Sequence, residues 1–172
     1  MQRDDQYYMR KALEMACKAE SIDEVPIGAI VVDADGAIIG RGYNQVERKK
    51  TQLAHAEIIA LERATRKKGD WRLDGCILYV TLEPCRMCVS LIQISRLRGI
   101  IYAAESPRFG YQLDNIAISS VYKKDVQVKG GVGADDAQRI LKQFFQKKRK
   151  KKDGCKKAQF GGNQGCIDTA SE

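Results

Sequence analysis

Apolar residues occur along the chain in two patterns, short continuous runs and positions at helical spacing. Runs rich in β-branched and aromatic residues predict strands at 27–32, 38–43, 76–81, 100–103 and 126–128. Apolar positions at helical spacing, without Gly or Pro, predict helices over 4–20, 54–68 and 85–95 and from 134 through 145. The turn residues Asp33-Ala34-Asp35-Gly36 join the first two strands as a hairpin, and a polar loop spans 44–52.

The order of these elements predicts the fold class. A strand, a helix and a strand follow one another between residues 76 and 103, which implies a parallel crossover. The hairpin adds antiparallel pairing, so the sheet is mixed. We therefore expect an α/β protein, a three-layer α/β/α sandwich around a central mixed sheet of about five strands.

Length and composition favour one compact domain. The chain has 172 residues, of which 44% are hydrophobic and 30% charged, which excludes a collagen, a coiled coil or a disordered chain. No apolar run approaches the roughly 18 residues that a membrane span needs, and the N-terminus is charged, unlike a signal peptide. We therefore expect a cytoplasmic protein without membrane contact, whose six cysteines are metal ligands or buried thiols rather than disulfides.

Positive charge is concentrated near the C-terminus. The formal net charge is +8, and residues 147–157 (KKRKKKDGCKK) contain eight bases and one acid. Such a run is either a solvated tail or an arm that binds nucleic-acid phosphates. Beyond residue 152 the apolar periodicity is lost and Gly becomes frequent. We expect one domain over residues 1–150 and a flexible tail, first basic and then Gly-rich, over 151–172.

Two cysteines open the third predicted helix. Cys85 and Cys88 are three residues apart, so both sulfurs lie on one face of the first helical turn. The positive end of the helix dipole stabilises their thiolates, and zinc is the metal that such ligands prefer. A redox pair of the thioredoxin type has the same placement and is the alternative interpretation.

The only histidine in the chain, His55, favours the metal site. His55, Cys85 and Cys88 supply three ligands and leave the fourth position of a tetrahedral zinc ion open, as in catalytic sites. Strand geometry puts Cys76 about 17 Å from the other end of its strand, too far to serve as a fourth ligand. Cys17 is not excluded by this argument, although a buried thiol is the commoner state for a lone helical cysteine.

Glu57 follows His55 by two residues at the start of the same predicted helix. A carboxylate beside a zinc-bound water can take its proton and pass it on, which makes Glu57 the candidate catalytic residue. The alternative is an ordinary acidic residue that complements the helix dipole. Together with the three ligands, Glu57 predicts a hydrolytic zinc site.

His55-Ala56-Glu57 followed by Pro84-Cys85-Arg86-Met87-Cys88 matches the signature of the zinc nucleobase deaminases. With the segments 24–29 (EVPIGA) and 78–85 (LYVTLEPC), the chain resembles the bacterial tRNA-specific adenosine deaminases over about residues 5–150. The resemblance implies a cytidine deaminase-like fold and hydrolytic deamination of adenosine to inosine at the wobble position of a tRNA anticodon. It also implies a homodimer with one zinc ion per subunit, in which zinc-activated water attacks and Glu57 is the proton shuttle.

The resemblance also implies the substrate-binding residues Asn44, Ala56, Arg108, Phe145 and Arg149. Asn44 matches an asparagine that hydrogen-bonds the flipped nucleoside, and the Ala56 amide helps to hold the reacting oxygen and the base. Phe144, Phe145 and Arg149 match an aromatic and basic helix end placed against the anticodon stem-loop. One of Phe144 and Phe145 is expected to belong to the core instead. Arg108 lies in a basic loop suited to RNA phosphates.

Two loops depart from the family pattern. Residues 50–53 read KTQL where the family has Asp-Pro-Thr, and residues 105–110 read ESPRFG where it has Arg-Asp-x-Lys-x-Gly, with Ser106 at the acidic position. The first alternative function is therefore a zinc deaminase of a free base or nucleotide, of the guanine or cytosine type. The second is a non-catalytic, zinc-bound RNA-binding subunit, against which the presence of Glu57 argues.

Overall fold

Five strands form one sheet in the order β2-β1-β3-β4-β5. The computed structural model describes residues 4–111 and 126–160, with residues 151–160 described by their backbone alone. The strands are β1 (Gly28–Val32), β2 (Ile38–Tyr43), β3 (Ile77–Leu82), β4 (Gly99–Ala104) and β5 (Gln127–Lys129). The helices are α1 (Asp5–Ser21), α2 (Val46–Lys49), α3 (Ala56–Lys68), α4 (Arg86–Ile94) and α5 (Ala134–Phe160), and a 3-10 turn spans Gln52–Ala54.

These elements confirm the predicted strands and helices and add short helical segments to the polar loop predicted at 44–52. That loop contains α2, which ends at Lys50 in the left-handed conformation, and the 3-10 turn that follows Thr51. Neither segment has the apolar periodicity on which a sequence-based prediction of a helix depends. Both are single turns held by contacts with the rest of the molecule, described below.

Strand direction determines where the functional residues meet. β1 pairs antiparallel with both β2 and β3, whereas β3 pairs parallel with β4 and β4 with β5. Consequently β2, β3, β4 and β5 all run in the same direction, and their carboxyl ends lie at one edge of the sheet. The segments that follow β2, β3 and β4 are therefore neighbours in space.

Two hydrophobic cores lie on opposite faces of this sheet. Val31 and Leu78 share a core with residues of α3 and α4. Their chain neighbours Ile30 and Tyr79 share the second core with residues of α1 and α5. Because successive strand residues point to opposite faces, both faces need an apolar cover. The predicted three-layer α/β/α sandwich with a mixed sheet of five strands is confirmed.

Glycines in β2 let α3 approach the sheet backbone to backbone. A Cβ atom on Gly42 would lie 2.0 Å from the carbonyl oxygen of Ala56, and one on Gly40 would lie 2.1 Å from that of Ala60. No side chain other than hydrogen fits between these two elements. The first turn of α3 is thereby held against the end of β2.

The last helix is longer than predicted. It begins with Asp135 and Asp136 in its first turn, as expected, but continues to Phe160. Residues 161–172 of the predicted tail lie outside the described residues, and the domain boundary at residue 150 stays a prediction. Phe144 is buried and Phe145 exposed, so one of the two belongs to the core, as expected. Within residues 4–111 and 126–160, no helix is long and apolar enough to cross a membrane.

Candidate metal centre and active site

The predicted ligands converge at the carboxyl edge of the sheet. His55 is the residue immediately before α3, Cys85 is the residue immediately before α4, and Cys88 lies in the first turn of α4. His55 and Cys85 both have extended backbone, and neither side chain caps its helix. Their ring nitrogen and sulfur are therefore free to face each other across the two helix starts.

The separations between the ligand atoms match a tetrahedral zinc site. Nδ1 of His55 is 3.7 Å from Sγ of Cys85 and 3.5 Å from Sγ of Cys88, and all three ligand atoms lie within 4.8 Å of one another. With Zn–N near 2.05 Å and Zn–S near 2.3 Å, tetrahedral angles put N and S about 3.6 Å apart. Both nitrogen–sulfur separations therefore fit a tetrahedral zinc site.

Neither of the other two described cysteines belongs to this group. Cys76 is buried just before β3, at the edge of the sheet opposite the ligands, as the strand geometry predicted. Cys17 lies on α1 with its side chain exposed, so the expectation of a buried thiol there is wrong. Among the described residues, the group that could hold a metal ion consists of His55, Cys85 and Cys88.

Hydrogen bonding within the group favours a thiolate. The hydrogen bond from Cys88, together with one from His55, lowers the pKa of Cys85 to about 4. The same bond to Cys85 and burial raise the pKa of Cys88, and the bond to Cys85 also raises the pKa of His55. These shifts favour the thiolate form of Cys85, which is the form in which a cysteine binds a metal ion.

Glu57 lies against the metal ligands without being one of them. It is the second residue of α3, its side chain is only 4% exposed, and its carboxyl group lies close enough to the Cys88 thiol to influence its ionisation. Burial raises the pKa of Glu57 above its ordinary value. A carboxyl group in this position can exchange protons with a molecule bound beside the ligands, as a general acid and base must.

Asn44 is held at the same edge by a buried carboxylate. It directly follows β2, and its Nδ2 donates to Oε2 of Glu24 over 3.1 Å. Glu24 is 1% exposed and also accepts the backbone N–H groups of Arg48 at 2.6 Å and Glu47 at 3.3 Å. Three donors thus surround one carboxylate, which fixes the orientation of the Asn44 amide and holds the first turn of α2 in place.

A backbone hydrogen bond brings the Asn44 segment beside the His55 segment. The N–H of Gln45 donates to the carbonyl of Ala54 over 3.0 Å, which joins the residue after Asn44 to the residue before His55. Ala56 is fully buried as the first residue of α3, so its N–H has no acceptor within the helix. Asn44, His55 and Ala56 therefore lie on neighbouring segments of the chain at this edge of the sheet.

The loop at 105–110, which departs from the family pattern, is anchored to the metal-binding turn. The N–H of Ser106 donates to Oε2 of Glu83 over 2.9 Å, and Gly110 forms a β-bridge with Cys85. A Cβ atom on Gly110 would lie 2.3 Å from Oε2 of Glu83, so a larger residue there would displace the Glu83 carboxylate. Arg108 is exposed on this loop, two residues before the glycine that bridges to Cys85.

The predicted RNA contacts on α5 lie on its surface. Phe145 is 45% exposed and Arg149 is exposed. Nζ of Lys148 contacts Oδ2 of Asp23 at 2.6 Å, and Asp23 directly precedes Glu24 in the chain. The exposed part of α5 therefore lies beside the segment that holds Asn44.

Sequence reasoning assigned no role to Glu24 or Glu83. Both lie in the segments 24–29 and 78–85 that carry the family resemblance, which is the only signal that could have singled them out. An acidic residue at the end of a strand or in a loop is usually solvated. Their burial and their backbone donors are visible only in the folded chain.

Comparison with known proteins decides the family. A family model described as MafB19-like deaminase matches residues 3–149. The tRNA-specific adenosine deaminase of Bacillus subtilis is 38% identical over 155 residues, which cover 89% of this chain and 96% of that protein. The chain belongs to this deaminase family. The resemblance inferred from the motifs is confirmed.

Solved structures place the deaminase among proteins with two kinds of substrate. A structure from studies of A-to-I editing by tRNA:A34 deaminases at the wobble position is 36% identical, with a TM-score of 0.69 over 78% of this chain and 99% of that one. A guanine deaminase from Nitrosomonas europaea is 26% identical, with a TM-score of 0.71 over 82% of this chain and 84% of that one. The two neighbours share the fold, and the sequence identity is higher to the first.

Proposed function

We propose that this deaminase converts adenosine to inosine at the wobble position of a tRNA anticodon, with zinc held by His55, Cys85 and Cys88. The observation that carries the chemistry is the buried Glu57 carboxyl group beside three ligand atoms spaced for a tetrahedral ion. The similarity to a tRNA-specific adenosine deaminase over 89% of the chain supports the substrate.

The reaction requires one bond to form and one to break. When bound, zinc would activate the water that attacks the adenine ring. The oxygen of that water bonds to C6, and the amino group leaves as ammonia, so adenosine and water become inosine and ammonia. Two proton transfers accompany these steps, one to ring N1 and one to the leaving amine.

The residues of this chain supply the proton transfers and the orientation. Glu57 accepts a proton from the attacking water, donates it to N1, and then carries a proton to the leaving amine. Asn44, whose amide is oriented by Glu24, hydrogen-bonds the flipped nucleoside. The first turn of a helix leaves its N–H groups without internal partners, so the N–H of Ala56 can donate to the reacting oxygen or the base.

Exposed residues around the site hold the RNA in this proposal. Phe145 stacks on a base of the anticodon loop, and Arg108 and Arg149 contact phosphates. All three side chains are exposed in the structure, as this role requires. A free base would need none of them.

We further propose a homodimer with one zinc ion per subunit and, because tRNA is the proposed substrate, a cytoplasmic location. The dimer follows from the family resemblance. The subunit mass is 19.3 kDa. Light scattering on the zinc-loaded protein is expected to give twice this mass, and a mass of one subunit at micromolar concentration would contradict the dimer.

The test measures inosine in an anticodon stem-loop RNA that carries adenosine at the wobble position, with guanine and cytosine as parallel substrates. Glu57→Gln is expected to lower the rate by about 10²- to 10⁴-fold, the range of general acid–base catalysis. Glu62→Gln is the matched control, because Glu62 lies on the same helix with an exposed side chain paired to Arg66.

Inosine from the wild type, with loss in Glu57→Gln alone, supports the proposal. Ammonia from guanine or cytosine without inosine in the RNA would replace it by the free-base alternative. If the protein binds zinc and RNA but deaminates none of the substrates, the result would support the alternative of a non-catalytic RNA-binding subunit. Equal loss in both glutamate variants would contradict the role of Glu57.

A further inference from the structure

Two exposed apolar side chains lie on the loops that depart from the family pattern. Phe109, in the loop at 105–110, is 75% exposed, more than any other large hydrophobic residue that the structure describes. Leu53, in the loop at 50–53, follows with 65% and lies two residues before His55. A single exposed apolar residue needs no explanation by itself, so the position of these side chains has to decide whether they bind a partner.

The backbone of the loop that carries Phe109 is held on both sides of this residue. On one side, the N–H of Ser106 donates to the buried carboxylate of Glu83 over 2.9 Å. On the other side, the N–H of Gly110 donates to the carbonyl of Ser106 over 2.9 Å, which closes the loop as a tight turn. The loop therefore presents the aromatic ring to solvent from a fixed backbone position.

This position is close to the metal ligands. Gly110, the residue after Phe109, forms a β-bridge with Cys85. The N–H of Tyr111 then donates to the carbonyl of Pro84 over 3.2 Å. Bridged Cα atoms lie at most about 5.5 Å apart and consecutive Cα atoms about 3.8 Å apart, so the Cα of Phe109 lies within about 9 Å of that of Cys85. The loop therefore borders the region that a substrate must enter to reach the metal ligands.

The chemistry of this loop fits a nucleic acid with unstacked bases. An enzyme that acts on a base takes it out of the stack, which leaves the neighbouring bases without a stacking partner. Single-stranded RNA is bound by stacking such bases on aromatic rings and by contacts of basic residues with phosphates. Phe109 offers the ring, and its exposed chain neighbour Arg108 offers the charge. A second copy of this chain, whose formal net charge is also +8, is less complementary to this loop than a polyanion.

We propose that Phe109 stacks on a base next to the reacting adenosine and thereby helps to select the RNA substrate. This inference rests on the proposed function in assuming an RNA substrate. The family pattern at 105–110 has no fixed residue at position 109, so this contact is not part of that pattern. It adds a stacking contact beside the metal-binding turn to the one proposed for Phe145 on α5.

The test measures the dissociation constant for the anticodon stem-loop RNA by fluorescence anisotropy. Phe109→Ala removes the ring and is expected to weaken binding about 5- to 150-fold, the range of one base–aromatic stack. Phe109→Tyr keeps the ring and should bind as the wild type does. Trp71→Ala is the matched control, because Trp71 is an exposed aromatic residue between α3 and β3, at the opposite edge of the sheet from the ligands. This control should leave the dissociation constant unchanged.

RNAs that lack one base identify the base on which the ring stacks. In two further stem-loops, the nucleotide on the 5′ side or the 3′ side of the adenosine is replaced by an abasic nucleotide. If Phe109 stacks on that base, the wild type binds the corresponding abasic RNA more weakly, and Phe109→Ala causes no further loss of affinity for it. If the ring only supported the loop, Phe109→Ala would lower the affinity for all three RNAs equally.

Equal affinities of wild type and Phe109→Ala for the complete RNA, or an equal loss with all three RNAs, would overturn the proposal. A change from dimer to monomer mass in Phe109→Ala, with a loss of affinity that does not depend on either flanking base, would assign the ring to an interface between subunits and also overturn it. Absence of inosine from the wild type, with the expected dependence of binding on one flanking base, would contradict the proposed function alone and leave this contact in place.

Discussion

Replacing Glu24 by Gln tests whether a buried carboxylate positions Asn44 for the substrate. Glutamine keeps the size of the side chain but substitutes an N–H₂ group for one of two acceptor oxygens. Two of the three donors to Glu24 are backbone N–H groups that cannot turn away. The Asn44 amide is the donor that can rotate, so we expect it to lose its present orientation.

The magnitude follows from the contacts that are lost. A hydrogen bond to a charged group is worth about 1.5–3 kcal/mol, and a buried donor without an acceptor costs a similar amount. We take about 2 kcal/mol for the change at Oε2, where Asn44 and Glu47 both donate. If the substrate depends on Asn44, kcat/KM falls about 30-fold, since 1.36 kcal/mol is a factor of ten. The melting temperature falls by about 4–8 °C.

The assay is inosine formation in the anticodon stem-loop RNA, with urea unfolding to report stability. Glu47→Gln is the matched control, because the Glu47 side chain is 77% exposed and pairs with Lys50 at 3.5 Å. A surface pair of this kind contributes less than about 1 kcal/mol. We expect this control to retain wild-type activity and stability.

A double-mutant cycle with Asn44→Ala separates positioning from general destabilisation. If Glu24 acts through Asn44, adding Glu24→Gln to Asn44→Ala causes no further loss of kcat/KM. Full additivity of the two effects on kcat/KM would refute the reasoning. So would a Glu24→Gln variant that loses stability but keeps the wild-type kcat/KM.

Four other predictions concern the packing, the metal, the RNA surface and pH. Gly42→Ala should destabilise the protein by about 3 kcal/mol in urea unfolding, because a Cβ atom there meets the backbone of α3. Removing zinc by dialysis against a chelator should lower the melting temperature by about 10 °C, since a ligand at a thousand times its Kd contributes about 4 kcal/mol. Phe144→Ala should cost about 3–4 kcal/mol of stability, whereas Phe145→Ala should leave stability unchanged and weaken RNA binding by about 1–3 kcal/mol. Partial burial of Asp5 opposes its ionisation, but hydrogen bonds from Lys129 and Tyr79 outweigh this and lower the pKa of Asp5 below its ordinary 3.8. The ionised Asp5 therefore stabilises the fold above pH 3.8, and this contribution is lost as the pH falls through the folded-state pKa. The melting temperature of Asp5→Asn should therefore depend less on pH, between pH 2 and 7, than that of the wild type.

Each of these has a contrasting variant or outcome. Gly69→Ala meets no atom within 4 Å and carries only the strain of a φ of 71°, so equal losses at positions 42 and 69 would speak against a steric clash. If adding zinc back to the chelator-treated protein does not restore its melting temperature, the result would count against the metal site. Equal RNA affinity of Phe145→Ala and wild type would remove Phe145 from the RNA surface. If the melting temperature of Asp5→Asn depends on pH as that of the wild type does, the hydrogen bonds of Asp5 do not contribute to the pH dependence of stability.

The sequence alone predicted the part of the site that depends on residue type and on short spacings along the chain. Thiol and imidazole groups are rare and have few alternative uses, so Cys85, Cys88 and the lone His55 indicate a metal site by their identity and order in the chain. The spacing of the two cysteines follows from one turn of helix. Continuous apolar runs likewise predicted the five strands, and apolar positions at helical spacing predicted the four long helices, because strands buried on both faces and helices buried on one face leave different patterns.

Only the tertiary structure shows which residues hold the site residues and loops in place. Glu24 binds Asn44 across 20 residues of sequence, and Glu83 holds the Ser106 loop across 23. These pairs form because β2, β3 and β4 end at one edge of the sheet. A polar residue in a loop has no period from which its burial could be inferred.

The sequence by itself thus determined the chemistry of this protein and the layers of its fold, since both depend on residue type and on local periodicity. The tertiary structure decided which of Phe144 and Phe145 is buried, how far α5 continues, and which buried acids hold the site together. Those outcomes depend on contacts between distant segments, whose free energies no local pattern contains.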